Sequence, residues 1–548
     1  MNKRFTLQQL IFVLAILSVF PLRAQVGVVN PAEFEKNEGI LLVWDYAPSR
    51  DSITANIARA AQQAGKVWII YYPGQAPYDT SQIRSYLYSR GVLPLNLFFV
   101  PAWTETLWIR DFGPAVLYGD FGQGSERFIV DMGYSAYGRP KDDSIPTQLA
   151  HHWGWQHQTF PVQIEGGNLM FDGLKRGFAS KRVLTQNPQY SPSLLRNMFI
   201  DRFQVDDFVF LDNLNNSGGG IWKHVDMWMK VLDYETILVS SYPEHLPDYN
   251  VIENNVLVLR SLTNAFGKPY TIIRIPAPPK DNGTWATTQN DEMRTYTNSL
   301  IINNTVIVPS YNLPEYDNLA RQIYQQAMPG YKIIMVDSRN LTTLGGAIHC
   351  ITREIPAPKF ARIVHRKVTG AQTFSSDFYI YSNCSSNSPI QRMWLYYKKN
   401  NQTEYTRVPV YMACPENMGI IQGLNPGDTV SYYLEAITSH GNVTYPVAAP
   451  AANFTFWFDQ AVGMPQMEHQ QKMHIFPQPA SEGFYIHLPV ADDAAQVKIY
   501  DRTGRLVYVN DSYTAGSWLE PKLQAGVYVV VLRSGNQIFN SQLVISKR

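Results

Sequence analysis

The sequence predicts an α/β fold built from internal repeats, followed by two all-β units, and three observations carry that prediction. Between about Pro31 and Pro356, amphipathic helical stretches run repeatedly into short apolar strands. Past Pro356 only strands recur, separated by turn residues. The chain has 548 residues, beyond the ~250 to 300 at which one hydrophobic core stops growing, so at least two folded units are required.

The first residues, MNKRFTLQQLIFVLAILSVFPLRAQVG, place Lys3 and Arg4 before an apolar run from Leu10 to Phe20 and the small residue Ala24. That is the layout of a secretory signal peptide, assigned to residues 1–24. The run falls short of the ~20 apolar residues of a membrane span, so an exported chain starting near Gln25, with no membrane span after signal removal, is expected. The first repeat, DSITANIARAAQQAG, puts Ile53, Ile57, Ala60 and Ala64 on one face, opens on the capping-type Asp51 and Ser52, and stops at Gly65 before the strand VWIIYY. The same order recurs in TSQIRSYLYSRG before LFFVPA, in PTQLAHHWGWQHQTFPV, in VIENNVLVLRSLTNAFGKPYTIIRIP and in EYDNLARQIYQQAMPGYKIIMVDS. A sixth copy, SPSLLRNMFIDRFQVDDFVFLD, lacks the glycine. These repeats define a domain over residues 25–358.

From 359 to 458 the strands FYIYSN, RMWLYYKK, TRVPVYMA and TVSYYLEAIT, with the turn LNPGD, predict an immunoglobulin-like β-sandwich. Residues 459–473, which include most of GMPQMEHQQKMH, are predicted to be a linker. The strands QVKIYD, RLVYV, GVYVVVLR and NSQLVISK assign 474–548 to a small C-terminal β-domain.

Forty-six basic residues against forty-five acidic ones leave a formal charge of +1, which gives no field to gather polyphosphate; nucleic acid is not expected as a partner. Cys350, Cys384 and Cys414 permit one disulfide in an exported chain and leave one thiol over. Cys384 and Cys414 share the strand-rich region. Cys350, in GGAIHCITREIP, is then either a buried, inert thiol or one kept for reactivity.

The segments that succeed the strands favour reactivity. After LFFVPA comes WTETLWIRDFGP, after TFPVQI comes EGGNLMFDG, and after DDFVFLD comes NLNNSGGGIWKHVDMW; a long loop after TIIRIP ends in TYTNSLIINN, and KIIMVDS leads to LGGAIHC. Only VWIIYY lacks such a sequel. Each motif alone is weak, since an Arg–Asp pair is commonly a surface feature and a lone Asn a turn capper. Their occurrence at equivalent points of five units would aim them at one centre if the units closed a ring. The set suits a guanidinium: Asp111 and Asp226 can accept its N–H fork, the Cys350 thiolate can attack its central carbon, and His224 can protonate the leaving ammonia and deprotonate a water. A cysteine protease would need a Cys, a His and an Asn or Asp, but has no use for two acidic motifs on separate repeats. Zinc at His151, His152 and His157 is disfavoured because those offsets do not share a helix face, so no metal and no cofactor is expected.

The motifs WIRDFGP, EGGNLMFDG, HVDMW, YTNSLIINN and GGAIHCITREIP resemble, in this order, those of the agmatine deiminase and bacterial peptidylarginine deiminase family. The resemblance covers about Pro31 to Pro356. It implies a five-bladed, pseudo-symmetric α/β propeller (the pentein fold) and hydrolysis of a guanidino group to a ureido group plus ammonia. Residue by residue it implies Cys350 as nucleophile, His224 as acid/base, Asp111 and Asp226 as guanidinium ligands and Asn298 as a further catalytic residue. Trp108, Arg110, Glu165, Gly166, Gly167, Asn168 and Gly346 would line the substrate pocket. Arg139, in YGRPKDD, matches the second of two arginines with which secreted members clamp a terminal carboxylate; Tyr137 stands near the place of the first, and Ile221 replaces a tyrosine. The tail is similar to type nine secretion sorting domains in IFPQPASEGFYI, KIYDRTGRLVY and GVYVVVL, which implies that secretion machinery as a partner and a secreted or cell-surface location. The extra domains favour arginine-containing peptides or proteins as substrate over agmatine or free arginine. A surface binding protein with an inactive deiminase unit is the alternative of another class.

Overall fold

Parallel strands and crossover helices lie where the apolar runs and amphipathic stretches place them. The computed structural model describes residues 27–74, 79–120, 125–134, 138–214, 223–288, 291–412, 416–459, 473–487, 495–502, 504–514, 517–534 and 537–546. The proposed signal segment, Tyr137, Ile221, Cys414 and nearly all of the expected linker lie outside them. The chain divides into two compact units at Asp459/Gln460.

In the first unit β1 (Asn37–Val43), β2 (Lys66–Tyr71) and β3 (Leu97–Pro101) run parallel, joined by helices Pro48–Ala61 and Thr80–Ser89. Four further sheets share one plan, an antiparallel pair and then a helix that returns the chain to a parallel third strand. They are β4 (Ala115–Asp120), β5 (Ser125–Gly133) and β6 (His157–Gln163); β7 (Met170–Phe171), β8 (Arg176–Ser180) and β9 (Asp207–Leu211); β10 (Met229–Asp233), β11 (Thr236–Ser241) and β12 (Thr271–Pro276); and β13 (Leu300–Ile302), β14 (Thr305–Ser310) and β15 (Lys332–Asp337). The last strand of the series, β16 (Arg353–Pro356), pairs antiparallel with β1, so the end of the repeat region completes the sheet that its start began. That sheet carries one helix–strand step more than the others. VWIIYY leads to no motif because β2 sits inside this sheet and the chain leaves it from β3.

The returning helices obey their end signals. Proline stands at the first turn of Pro48–Ala61, Ile145–Trp153, Pro192–Phe203 and Pro314–Ala327, where a missing N–H costs nothing. Gly154 ends its helix in the left-handed region at φ 67°. In the copy without glycine Gln204 takes the same role at φ 51°, a conformation that strains an ordinary side chain. Ile40, Leu41 and Leu42 in β1 and Val306, Ile307 and Val308 in β14 are fully buried, whereas β8 and β9 bury Phe178 and Phe208.

From Ala361 to Phe458 only strands occur among the described residues. Thr406–Tyr411 pairs through Thr406 to Pro409 with Ile390–Lys399 and through Val410 and Tyr411 with Asn417–Ile421, one step in a nine-stranded hydrogen-bonded sheet. Cys384, on strand Phe378–Ser386, is a free, half-buried thiol, and burial pushes it up to about 12. The second unit has a core of its own around Phe484, Val497, Ile499, Val530, Leu532 and Leu543. Its strands pair as Leu506–Tyr513, Ala495–Asp501, Gly526–Ser534 and Gln537–Ile545, with a three-stranded group formed by His474–Phe476, Phe484–His487 and Trp518–Leu519. Among the described residues no helix is long and apolar enough to cross a membrane.

Candidate active site

Every polar motif links the last strand of one sheet to the first of the next. The link from β3 to β4 holds the short helix Ile109–Phe112, and those after β6, β9 and β15 hold tight turns at Gly166–Asn168, Val225–Met227 and His349–Ile351. Asn298 lies on the link from β12 to β13. Two buried asparagines pin these turns. Asn298 Oδ1 accepts from the N–H groups of His349 and Cys350 (3.0 and 3.3 Å), and Asn168 Oδ1 accepts from those of Ser180 and Val225 (2.9 and 3.3 Å). His349, Cys350 and Val225 offer donors that a tight turn leaves without helical partners, and Ser180 offers one from the end of β8.

The links bring Asp111, His224, Asp226 and Cys350 together, all at most 3% exposed. Gly167 lies among them, and a Cβ there would stand 2.8 Å from Asp111 Oδ1, 2.9 Å from His224 Nδ1 and 3.0 Å from Asp226 Oδ2. The His224 ring lies between Asp111 Oδ1 and Glu165 Oε2, each 3.5 Å from a ring nitrogen, at the long limit of a hydrogen bond. Cys350 Sγ is 3.8 Å from Asp226 Oδ2 and receives the Asn298 amide at 3.3 Å. Gly346 makes room for the cysteine: a Cβ there would sit 2.5 Å from the Trp108 ring and 3.0 Å from Cys350 Cβ. Gly345 precedes it at φ 98°, open to glycine alone.

Three carboxylates and a thiol in one buried site disturb one another. Burial, then Asp226 and Glu165, raise Asp111 to about 7 against the pull of His224. Burial, then Asp226 and Asp111, hold the Cys350 proton well above the usual thiol range. Burial alone would lower His224, but the carboxylates of Asp111, Glu165 and Asp226 reverse the sign and raise it, favouring the imidazolium. Burial opposes ionisation of Glu165, yet His224 and then Arg182 outweigh it and keep this carboxyl ionised far into acid. The site thus carries negative charge around a protonated thiol, and a cation entering it would relieve the strain on both carboxylate and sulfur.

Several expected pocket residues do other work. The Arg110 guanidinium pairs with Glu354 at 2.7 Å and donates from Nε to the His349 carbonyl at 3.2 Å, because charge buried this deeply needs a counter-charge that the Asp111 side does not supply. Glu165 is gripped by Arg182 (2.6 Å) and Gln186 (2.8 Å) and addresses His224 instead of an open pocket. Asn168 is used up in pinning turns. In the EGGN stretch, Gly166 is packed against the Arg110 carbonyl, and a Cβ there would approach it to 2.2 Å. Arg139 precedes the short helix Pro140–Asp143, with Nη1 3.5 Å from the hydroxyl of buried Tyr134. Sequence reasoning passed over His349, Glu33, Lys230 and Arg182. His349 carried a signal, adjacency to the cysteine; the other three are single charged residues far apart in the chain.

The family model described as Porphyromonas-type peptidyl-arginine deiminase matches residues 29–356, and that of the secretion system C-terminal sorting domain matches 474–546. A protein called "Putative agmatine deiminase" from Shewanella baltica is 26% identical over 371 residues, 61% of this chain and 96% of its own. The solved agmatine deiminase of Enterococcus faecalis aligns with a TM-score of 0.53 at 23% identity, covering 60% of this chain and 96% of that one. A Porphyromonas gingivalis structure titled as a putative arginine deiminase aligns at 0.52 and 21% identity, covering 60% and 98%. The last two show a shared fold over the N-terminal 60% of the chain. The tail is a type nine sorting domain, and the protein is secreted or held at the cell surface. With the matched segment spanning all five motif-bearing links, the chain belongs to the Porphyromonas-type peptidyl-arginine deiminase family, whose members hydrolyse C–N bonds of amidines.

Proposed function

We propose that this protein is a secreted deiminase that converts peptidyl-arginine to peptidyl-citrulline and ammonia through a covalent Cys350 intermediate. The observation that carries the reading is the convergence of Asp111, His224 and Asp226 around the bare Cα of Gly167, with Cys350 Sγ 3.8 Å from Asp226. A side chain at 167 would fill the space between the two carboxylates, which suits a flat guanidinium. Its positive charge offsets Asp111 and Asp226, the two charges that hold the proton on sulfur, so substrate arrival promotes formation of the thiolate, the thiol proton being released to solvent. Sγ then attacks the guanidino carbon, forming a C–S bond. His224 delivers a proton to one terminal nitrogen, and ammonia leaves as its C–N bond breaks. Water, losing a proton to the same imidazole, attacks the carbon; the C–S bond breaks and the ureido product departs.

The five sheets, each passing a motif-bearing link to the next and closed by β16 on β1, are read as blades around a pseudo-fivefold axis. The strands of 359–458 are read as an immunoglobulin-like sandwich, and the boundaries 25–358, 359–458 and 474–548 as those of the domains. Export and the family favour arginine in peptides as substrate. Agmatine is the second reading, favoured by curated relatives of that name aligned over 96% of their own length. Incubating the protein with agmatine, free arginine, and peptides bearing internal or C-terminal arginine, then measuring ammonia and ureido product, separates these. Cys350→Ala should leave a folded protein with under a few per cent of activity on whichever substrate the parent accepts. More activity than that, or a parent inert towards all of them, would exclude the reaction.

A further inference from the structure

The cysteine's neighbour in sequence is a histidine that touches the site from behind. The His349 ring is 2% exposed and bridges two carboxylates, with Nδ1 2.7 Å from Asp226 Oδ2 and Nε2 2.9 Å from Glu33 Oε2. With both carboxyl groups ionised, both contacts are hydrogen bonds only when each ring nitrogen carries a hydrogen. The far side is anchored in turn. Lys230 Nζ, on β10, donates to both Glu33 oxygens at 2.6 and 2.7 Å, and the Ile301 N–H, on β13, donates to Oε1 at 2.7 Å. The His349 backbone is held as well, its N–H by Asn298 and its carbonyl by Arg110. Asp226 thus has one oxygen fixed by a ring that cannot shift. Its other oxygen, Oδ1, is buried and has no hydrogen-bond partner among the described residues. Oδ2 is the oxygen that faces the site, 3.8 Å from Cys350 Sγ and 3.0 Å from a Cβ placed on Gly167.

We propose that His349 is a positioning residue for guanidinium capture: it holds Oδ2 of Asp226, the oxygen that borders Gly167 and Cys350 Sγ, in place for the substrate. The inference rests on the reading of Asp226 as a guanidinium ligand. Without the ring, the carboxylate can turn Oδ2 away from the space over Gly167, and the incoming cation must reverse that turn. A chain of contacts then runs from the backbone of β13 and the side chain of β10 through Glu33 and His349 to the substrate, which sets the site on strands instead of loops.

The test uses the full chain with Cys350→Ala, which binds without turnover, and titrates it calorimetrically with agmatine and with Nα-acetyl-arginine amide. Asparagine can place its amide nitrogen where Nδ1 stands, whereas glutamine places its own where Nε2 stands. His349→Asn should therefore bind within about threefold of the parent. His349→Gln and His349→Ala should bind at least about tenfold more weakly, a change of ~1.4 kcal/mol, with thermal melts close to that of the parent. Asparagine and glutamine variants of equal affinity would overturn the inference, as would a His349→Asn protein that recovers neither fold nor binding. The Asn–Gln pair decides even if His349→Ala misfolds. A parent that binds neither probe would instead overturn the reading of Asp226 itself.

Discussion

At the scale of the residue, the cost of the site is concentrated in Asp111. Its carboxyl is raised to about 7 by burial and by two neighbouring carboxylates. In the unfolded chain the same group titrates near ~3.9. The folded protein therefore holds this proton more tightly, and stability from this group is lost as pH rises from about 4 through about 7. The shift of roughly three units corresponds to a penalty on the order of 4 kcal/mol above pH 7. Asp111→Asn keeps the shape of the neutral form and escapes the penalty. Urea melts should show the variant more stable than the parent at pH 8.5, by ~1 to 4 kcal/mol, and no more stable near pH 4. Its activity should be lost throughout, because an amide cannot supply the anionic acceptor. A gap independent of pH would mean that Asp111 does not titrate as described.

At the scale of the element, the links matter more than the strands they join. The cysteine turn fits beside Trp108 only because Gly346 has no side chain; the ring is 9% exposed and has little room to retreat. Gly346→Ala should cost ~1 to 3 kcal/mol by overpacking and lower kcat at least about tenfold by displacing the nucleophile. Adding Trp108→Phe should recover part of the stability, and equal melts for the single and double variants would show that the contact is not the cause. The helices were legible because their apolar spacing runs over nine to fourteen residues, and the strand after each because it follows the helix stop. The antiparallel strands were not: β7 has two residues and β13 three, too short to show a period of two. The motif residues were legible by recurrence after successive strands. Glu33, Lys230 and His349 were not, because residues 33, 230 and 349 meet only once the sheets have folded. The pairing of Arg110 with Glu354 was not legible either, since its place in the motif says nothing of which way its side chain turns.

At the scale of the whole molecule, the two β regions after residue 358 relate differently to the catalytic domain. The core of the repeat domain continues without a break into the first, so that Ile363, Ile380 and Leu434 belong to the same apolar cluster as Ile40 and Ile307. Charge ties that junction too: Arg362 pairs with Glu35, and Lys367 donates to Asp233 and Thr236, each at 2.8 Å. Aromatic rings meet there as Tyr118 with Phe360 and Tyr234 with Tyr445, at centroid distances of 5.2 and 5.3 Å. The sorting domain, by contrast, lies past the division at Asp459 and encloses its own core. Two truncations should therefore behave oppositely. A chain ending at Asp459 should keep the kcat/KM and melting temperature of the full protein in purified form, yet fail to reach the cell surface, since what it lacks is the sorting signal. A chain ending at residue 358 should expose the apolar face around Phe34, Tyr118 and Tyr234 and leave Glu35 and Asp233 without their cations. It should aggregate on expression or melt well below the longer form. A 358-residue product as stable and active as the chain ending at Asp459 would show that the junction adds nothing to the fold. Surface delivery of the Asp459 form at the normal level would show that the tail is not needed for export.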